Sequence, residues 1–122
     1  MIIKSLKLKN YRNYDLLDLT FDPKTNILYG DNAQGKTNIL EAIYYLCTLN
    51  SVRIKRDSEL IQFQKEIASI KAQIIKQDTD IEMEVVFNPP KNKLLKVNGL
   101  KKNKSKDFLR VLSGVYFSTS DL

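Results

Sequence analysis

Histidine is absent from the 122 residues, and cysteine occurs once, at Cys47. Without histidine there is no Ser-His-Asp or Cys-His nucleophilic machinery, no histidine metal ligand and no imidazole proton shuttle. A single cysteine excludes an internal disulfide framework and a cysteine zinc site, and it fits a reducing compartment. The start, Met1-Ile2-Ile3-Lys4-Ser5-Leu6-Lys7, meets a charge before a secretory apolar core can form. No apolar run approaches the ~18 residues of a membrane helix. These absences predict a soluble, cytoplasmic protein with no membrane partner.

The length suits one domain, and 43% apolar with 28% charged residues is ordinary for a globular fold. The formal net charge is +6 and unevenly spread. Residues 91–110 hold eight basic side chains (Lys91, Lys93, Lys96, Lys101, Lys102, Lys104, Lys106, Arg110) against one acid, Asp107. The rest of the chain is close to neutral. Such asymmetry fits a polyanionic partner, and equally a solvated lysine-rich surface.

Period-two alternation marks strands at Ser5–Lys9 and Leu17–Phe21, with an exposed polar turn over Asn10-Tyr11-Arg12-Asn13-Tyr14. Asn26-Ile27-Leu28-Tyr29 reads as a short buried strand. Residues 36–49 carry apolar side chains at 39, 40, 43, 46 and 47, the spacing of a largely buried helix. In this helix Tyr44 and Tyr45 read as core residues and Cys47 as a small buried one. Asp57 and Ser58 are N-cap candidates for a short helix. An antiparallel meander is predicted over 67–97, with turns at Gln77–Asp80 and Asn88–Asn92. A short helix over 105–112 and a strand at 115–117 complete the reading.

Chemistry concentrates at Gly30-Asp31-Asn32-Ala33-Gln34-Gly35-Lys36-Thr37, a G-x-x-x-x-G-K-T phosphate-binding loop with a strand before it and a helix after. The two glycines let the main chain approach oxygen closely, so that successive N–H groups form a concave anion site. The following helix adds its unpaired donors and positive dipole end. Lys36 supplies a mobile point charge for the β- and γ-phosphates, and Thr37 a hydroxyl for Mg²⁺. A bare glycine turn before a helix is the plainer alternative. The pattern predicts binding of a nucleoside triphosphate with Mg²⁺.

Turnover is a different matter. There is no N-K-x-D element of a GTPase, and no apolar strand after the loop ends in an acid that could hold magnesium. Leu112-Ser113-Gly114-Val115 approximates an L-S-G-G signature, but its second glycine is replaced and a strand-like run follows. This chain is therefore expected to bind ATP–Mg²⁺ weakly and to hydrolyse it negligibly.

Three stretches together resemble the RecF family: Leu8-Lys9-Asn10-Tyr11-Arg12-Asn13-Tyr14, Gly30 through Tyr44, and Arg56-Asp57-Ser58-Glu59-Leu60-Ile61. The closing Val115-Tyr116-Phe117-Ser118-Thr119-Ser120-Asp121-Leu122 resembles the family's V-x-F-x-P-E-D-L, with Thr119-Ser120 in place of Pro-Glu. The resemblance implies a fold: an α/β P-loop lobe of an ABC-type ATPase, with a mixed sheet around the phosphate-loop helix and the antiparallel meander beside it. It also implies that residues 1–122 are an amino-terminal nucleotide-binding lobe, cut before the signature helix and the Walker B strand.

The implied function is an ATP- and DNA-binding protein of recombinational DNA repair and replication, active in the SOS response to DNA damage. ATP would gate homodimerisation on DNA, with recombination mediator proteins as partners. A fragment of a small-molecule P-loop kinase is the alternative. By resemblance Lys36 and Thr37 are the phosphate and magnesium residues, and Asn38 continues the loop motif. Arg12 and Asn13 match an opening motif that lies near the nucleotide in this superfamily. Asp121 falls where the superfamily places a loop sensing the γ-phosphate, though not as the usual glutamine. Arg53, Lys55 and Arg56 read as a charged solvated loop, with DNA contact second.

Overall fold

The computed structural model describes residues 2–21, 33–51 and 56–113. Two of the expected strands, at 26–29 and 115–117, lie outside these residues.

Strands β1 (Ile2–Tyr11) and β2 (Tyr14–Thr20) form a hairpin. Helix α1 (Ala33–Thr48) follows. Strands β3 (Ala68–Lys76), β4 (Thr79–Phe87), β5 (Leu94–Val97) and β6 (Leu100–Lys101) form the expected meander. Helix α2 (Ser105–Leu109) continues into a 3-10 turn at Arg110–Leu112. Hairpin and meander are not separate layers. Pairing of β1 with β3 joins them into one six-stranded sheet, in the order β2-β1-β3-β4-β5-β6. Every pairing among the described strands is antiparallel.

Alternation and register agree across this sheet. Leu8 stands opposite Ile70, and Ile70 opposite Val85, which pairs with Leu95. Leu6, Ala72 and Met83 form a second such row. All of these side chains are buried, so one face of the sheet is apolar across four strands. The opposite face carries charge: Asp18, Lys7, Lys71, Glu84 and Lys96 stand in one row. Helix α1 contributes Ile39, Ala42, Tyr45 and Leu46 to the same buried cluster as the strands, and Leu49 joins them just beyond its end.

Three sequence expectations need correction. Helix α1 begins at Ala33 rather than residue 36, because it takes in the second half of the glycine motif. Its buried stripe is 38, 39, 41, 42, 45, 46 and 49, whereas Leu40, Ile43 and Cys47 are only half-buried. Apolar spacing misplaced the stripe because two of its members, Asn38 and Glu41, are polar. Tyr11, read as part of an exposed turn, is completely buried. Among the described residues no helix is long and apolar enough to cross a membrane.

Candidate functional site

Gly30, Asp31 and Asn32 lie outside the described residues. Ala33, Gln34, Gly35 and Lys36 form the first turn of α1, and their side chains are not described. That placement puts the end of the G-x-x-x-x-G-K-T motif inside the helix N-terminus, where the first four backbone N–H groups have no intrahelical acceptor. Thr37 follows, half-buried and engaged by neighbouring groups. Asn38 is buried, and its Nδ2 donates to Asn13 Oδ1 at 3.3 Å. Of the expected site residues, the structure thus brings Asn38 into contact with Asn13, with Thr37 beside the one in sequence and Arg12 beside the other.

Arg12 and Asn13 occupy the tight connection between β1 and β2, with Tyr11 paired to Tyr14 across it. Arg12 adopts φ +55°, a left-handed conformation uncommon outside glycine. Several bonds hold it there. Arg12 N donates to the Leu60 carbonyl at 2.8 Å, and Gln62 N donates to the Asn10 carbonyl at 2.8 Å. The 3-10 turn Asp57–Leu60 and the residues after it thereby run alongside the end of β1.

The side chain of Arg12 meets Glu41, one turn further along α1 than Asn38. Arg12 Nε donates to Glu41 Oε1 at 3.0 Å and Nη2 to Oε2 at 2.6 Å, a two-pronged charge-assisted pair. Those bonds, outweighing the cost of burial, raise the Arg12 guanidinium above its ordinary pKa. Tyr11 Oη and Ser51 Oγ also donate to the Glu41 carboxylate, at 2.5 and 3.1 Å. Sequence reading gave no role to Glu41 or Tyr11. No local signal marked Glu41, because the apolar spacing placed the buried stripe at other positions of the helix.

A second polar junction ties α1 to the basic segment. Lys93 Nζ donates to Tyr45 Oη at 2.8 Å and to Asp57 Oδ2 at 3.2 Å. Asp57 was expected to cap a helix; instead its carboxylate pairs with Lys93, and Glu59 Oε2 accepts from Arg56 N at 3.2 Å. Arg56 is exposed, while Arg53, Lys55 and Asp121 lie outside the described residues. Burial raises the Cys47 thiol above its ordinary pKa, which disfavours the reactive thiolate.

Comparison with known proteins places this arrangement. The AAA domain family matches residues 5–120. The DNA replication and repair protein RecF of Lachnoclostridium phytofermentans is 43% identical over all 122 residues, which correspond to 34% of that protein. The chain thus spans about a third of the length of the curated relatives it matches. The recombination mediator protein RecF of the RecFOR pathway, solved as RecF-ATP, superposes on 88% of this chain and 30% of its own, with a TM-score of 0.79 and 33% identity. An SMC ATPase covers 99% of the chain with a TM-score of 0.82, and at 20% identity it shows the fold alone. The chain belongs to the AAA domain family and is homologous to RecF over its whole length.

Proposed function

We propose that residues 1–122 form the nucleotide-binding lobe of a RecF-like protein of recombinational DNA repair and replication, in which ATP binding gates dimerisation on DNA. The observation that carries this reading is the junction of the G-x-x-x-x-G-K-T motif with α1, beside the turn that holds Arg12 and Asn13. The donor set fits a triphosphate with Mg²⁺. Backbone N–H groups of the loop and of the first helical turn, together with Lys36, would hold the phosphates. The Thr37 hydroxyl would hold the metal. Bound ATP–Mg²⁺ supplies the charge and the binding energy that favour a closed pair of subunits. The lysines of residues 91–110 would lie along the DNA backbone without reading its sequence. The family match and the RecF relatives support this reading over a small-molecule kinase.

The test is an equilibrium titration of the chain with ATP and Mg²⁺. Replacing Lys36 with Ala is expected to remove most of the binding and to leave the circular dichroism spectrum unchanged. Steady-state ATP hydrolysis that survives both Lys36→Ala and further purification would contradict the assignment.

A further inference from the structure

A buried carboxylate is costly unless donors surround it, and apolar residues can often replace a buried ionic group at no loss of stability. Glu41 is nevertheless 0% exposed, on the core-facing stripe of α1. Its donors come from two stretches of chain: Tyr11 and Arg12, where β1 passes into the turn, and Ser51 beyond the helix. Packing alone does not call for such a convergence. What it achieves is geometric. The backbone of Arg12 is fixed through Leu60 and its side chain through Glu41, although its φ of +55° is unfavourable.

The two bonds to Glu41 use two of the five guanidinium N–H groups. Beyond Glu41 the guanidinium also hydrogen-bonds with Tyr11, and its side chain stays 24% exposed. The Asn38–Asn13 bond sets the same turn against α1, one residue after Thr37.

We propose that Glu41 is a positioning residue of the nucleotide site, holding the Arg12 guanidinium beside the first turns of α1 with its remaining donors available to the phosphates of a nucleoside triphosphate. This rests on the phosphate-loop reading of residues 30–37. Glu41 touches no nucleotide; it acts through Arg12. Tyr11 and Ser51 donate to the same carboxylate and satisfy further lone pairs of the buried group.

The experiment is a titration of the full chain with a fluorescent ATP analogue and Mg²⁺, with thermal melting followed in parallel. Glu41→Gln keeps the shape of the side chain and removes its charge. It is expected to weaken binding about tenfold, the worth of one charge-assisted hydrogen bond. Arg12→Gln is expected to do the same, and the double variant to bind no more weakly than Arg12→Gln alone, since the two residues act as a unit. Losses that add in the double variant would show a merely structural Glu41 and overturn the proposal. Arg12→Lys keeps the charge but not the two-pronged grip, and is expected to weaken binding severalfold. Wild-type affinity in Arg12→Lys overturns the proposal even where Glu41→Gln fails to fold. Lys36→Ala separates the two readings. If it abolishes binding while the Arg12 and Glu41 variants bind normally, the loop reading stands and this one falls. If it binds as wild type, the loop reading fails and takes this proposal with it.

Discussion

Tyr45 is completely buried on α1, where its hydroxyl accepts from Lys93. Burial first, and the nearby charge of Asp57 second, raise the phenol well above its ordinary pKa of 10.0. The sign of the pH effect follows. Above about pH 10 the unfolded chain releases this proton while the folded chain keeps it, so the folded state binds more protons and stability falls as pH rises. At neutral pH, Tyr45→Phe is expected to cost about 1 kcal/mol, the net worth of one hydrogen bond. The wild-type and Tyr45→Phe unfolding free energies from urea titrations should then converge as pH is raised above about 10. A constant difference across that range would refute the argument. Single residues divide sharply in how legible they were. Tyr44 and Tyr45 were both expected in the core of a largely buried helix; Tyr45 is there, whereas Tyr44 is only half-buried. Arg12 and Asn13 stood out through the motif they share with RecF proteins, but the sequence could not show that Arg12 binds Glu41. That pair lies 29 residues apart, and its partners are specified only by tertiary packing.

Among the elements, the turn expected at Gln77–Asp80 was the easiest to anticipate, and a second tight turn of the same form joins β5 to β6. Gln77-Asp78 and Asn98-Gly99 each place two consecutive residues at positive φ, as a two-residue hairpin with the twist of its strands requires. Asn98 also ties the turn to β4: its N–H donates to the Glu82 carbonyl at 2.8 Å, and its Oδ1 accepts from Glu82 N at 2.8 Å. Gly99 sits at φ +78° with nothing within 4 Å of an added Cβ, so a larger residue there is opposed by backbone conformation and not by crowding. Gly99→Ala is expected to cost about 1 kcal/mol in urea unfolding. Asn98→Ala should cost as much or more, because it also leaves the Glu82 N–H without its acceptor. A neutral Asn98→Ala would mean that the side-chain bond from Asn98 to Glu82 contributes nothing to the meander. Turns of this kind are legible because their chemistry is local. The β1–β3 pairing was not, because alternation identifies a strand's buried face and not its neighbour. The buried stripe of α1 was missed for a related reason: its polar members make sense only beside Arg12 and Asn13.

Across the whole molecule the net charge of +6 resolves into two populations. The outer face of the sheet largely compensates itself, with Lys71 near Glu82 and Glu84 at 3.7 and 3.9 Å and Lys7 near Asp18 at 3.9 Å. The basic segment does not. Lys93 turns inward to Asp57 and Tyr45, and Arg110 pairs with Asp107 at 3.6 Å, but Lys91, Lys101, Lys104 and Lys106 are exposed. Lys91, Lys93, Lys101 and Lys102 line a cleft of about 490 Å³, with Asp57 the one acid in its lining. The β5–β6 hairpin therefore holds several ammonium groups on one frame, and Lys93, just before β5, links that frame to Tyr45 of α1. A solvated surface and a DNA-backbone contact predict different salt behaviour. For duplex DNA the log of affinity should fall with the log of salt concentration by about 0.9 for each phosphate neutralised. Changing Lys101, Lys102 and Lys104 to Gln should flatten that slope by about 0.9 for each phosphate no longer neutralised. The weakening should be equal across DNA sequences, because bonds to phosphate carry no base information. Lys93 is already committed to Asp57, so Lys93→Gln should leave the slope nearly unchanged while lowering the melting temperature. If the triple Gln variant keeps both the wild-type slope and the wild-type affinity, the lysines form a solvated surface and the DNA interface lies elsewhere.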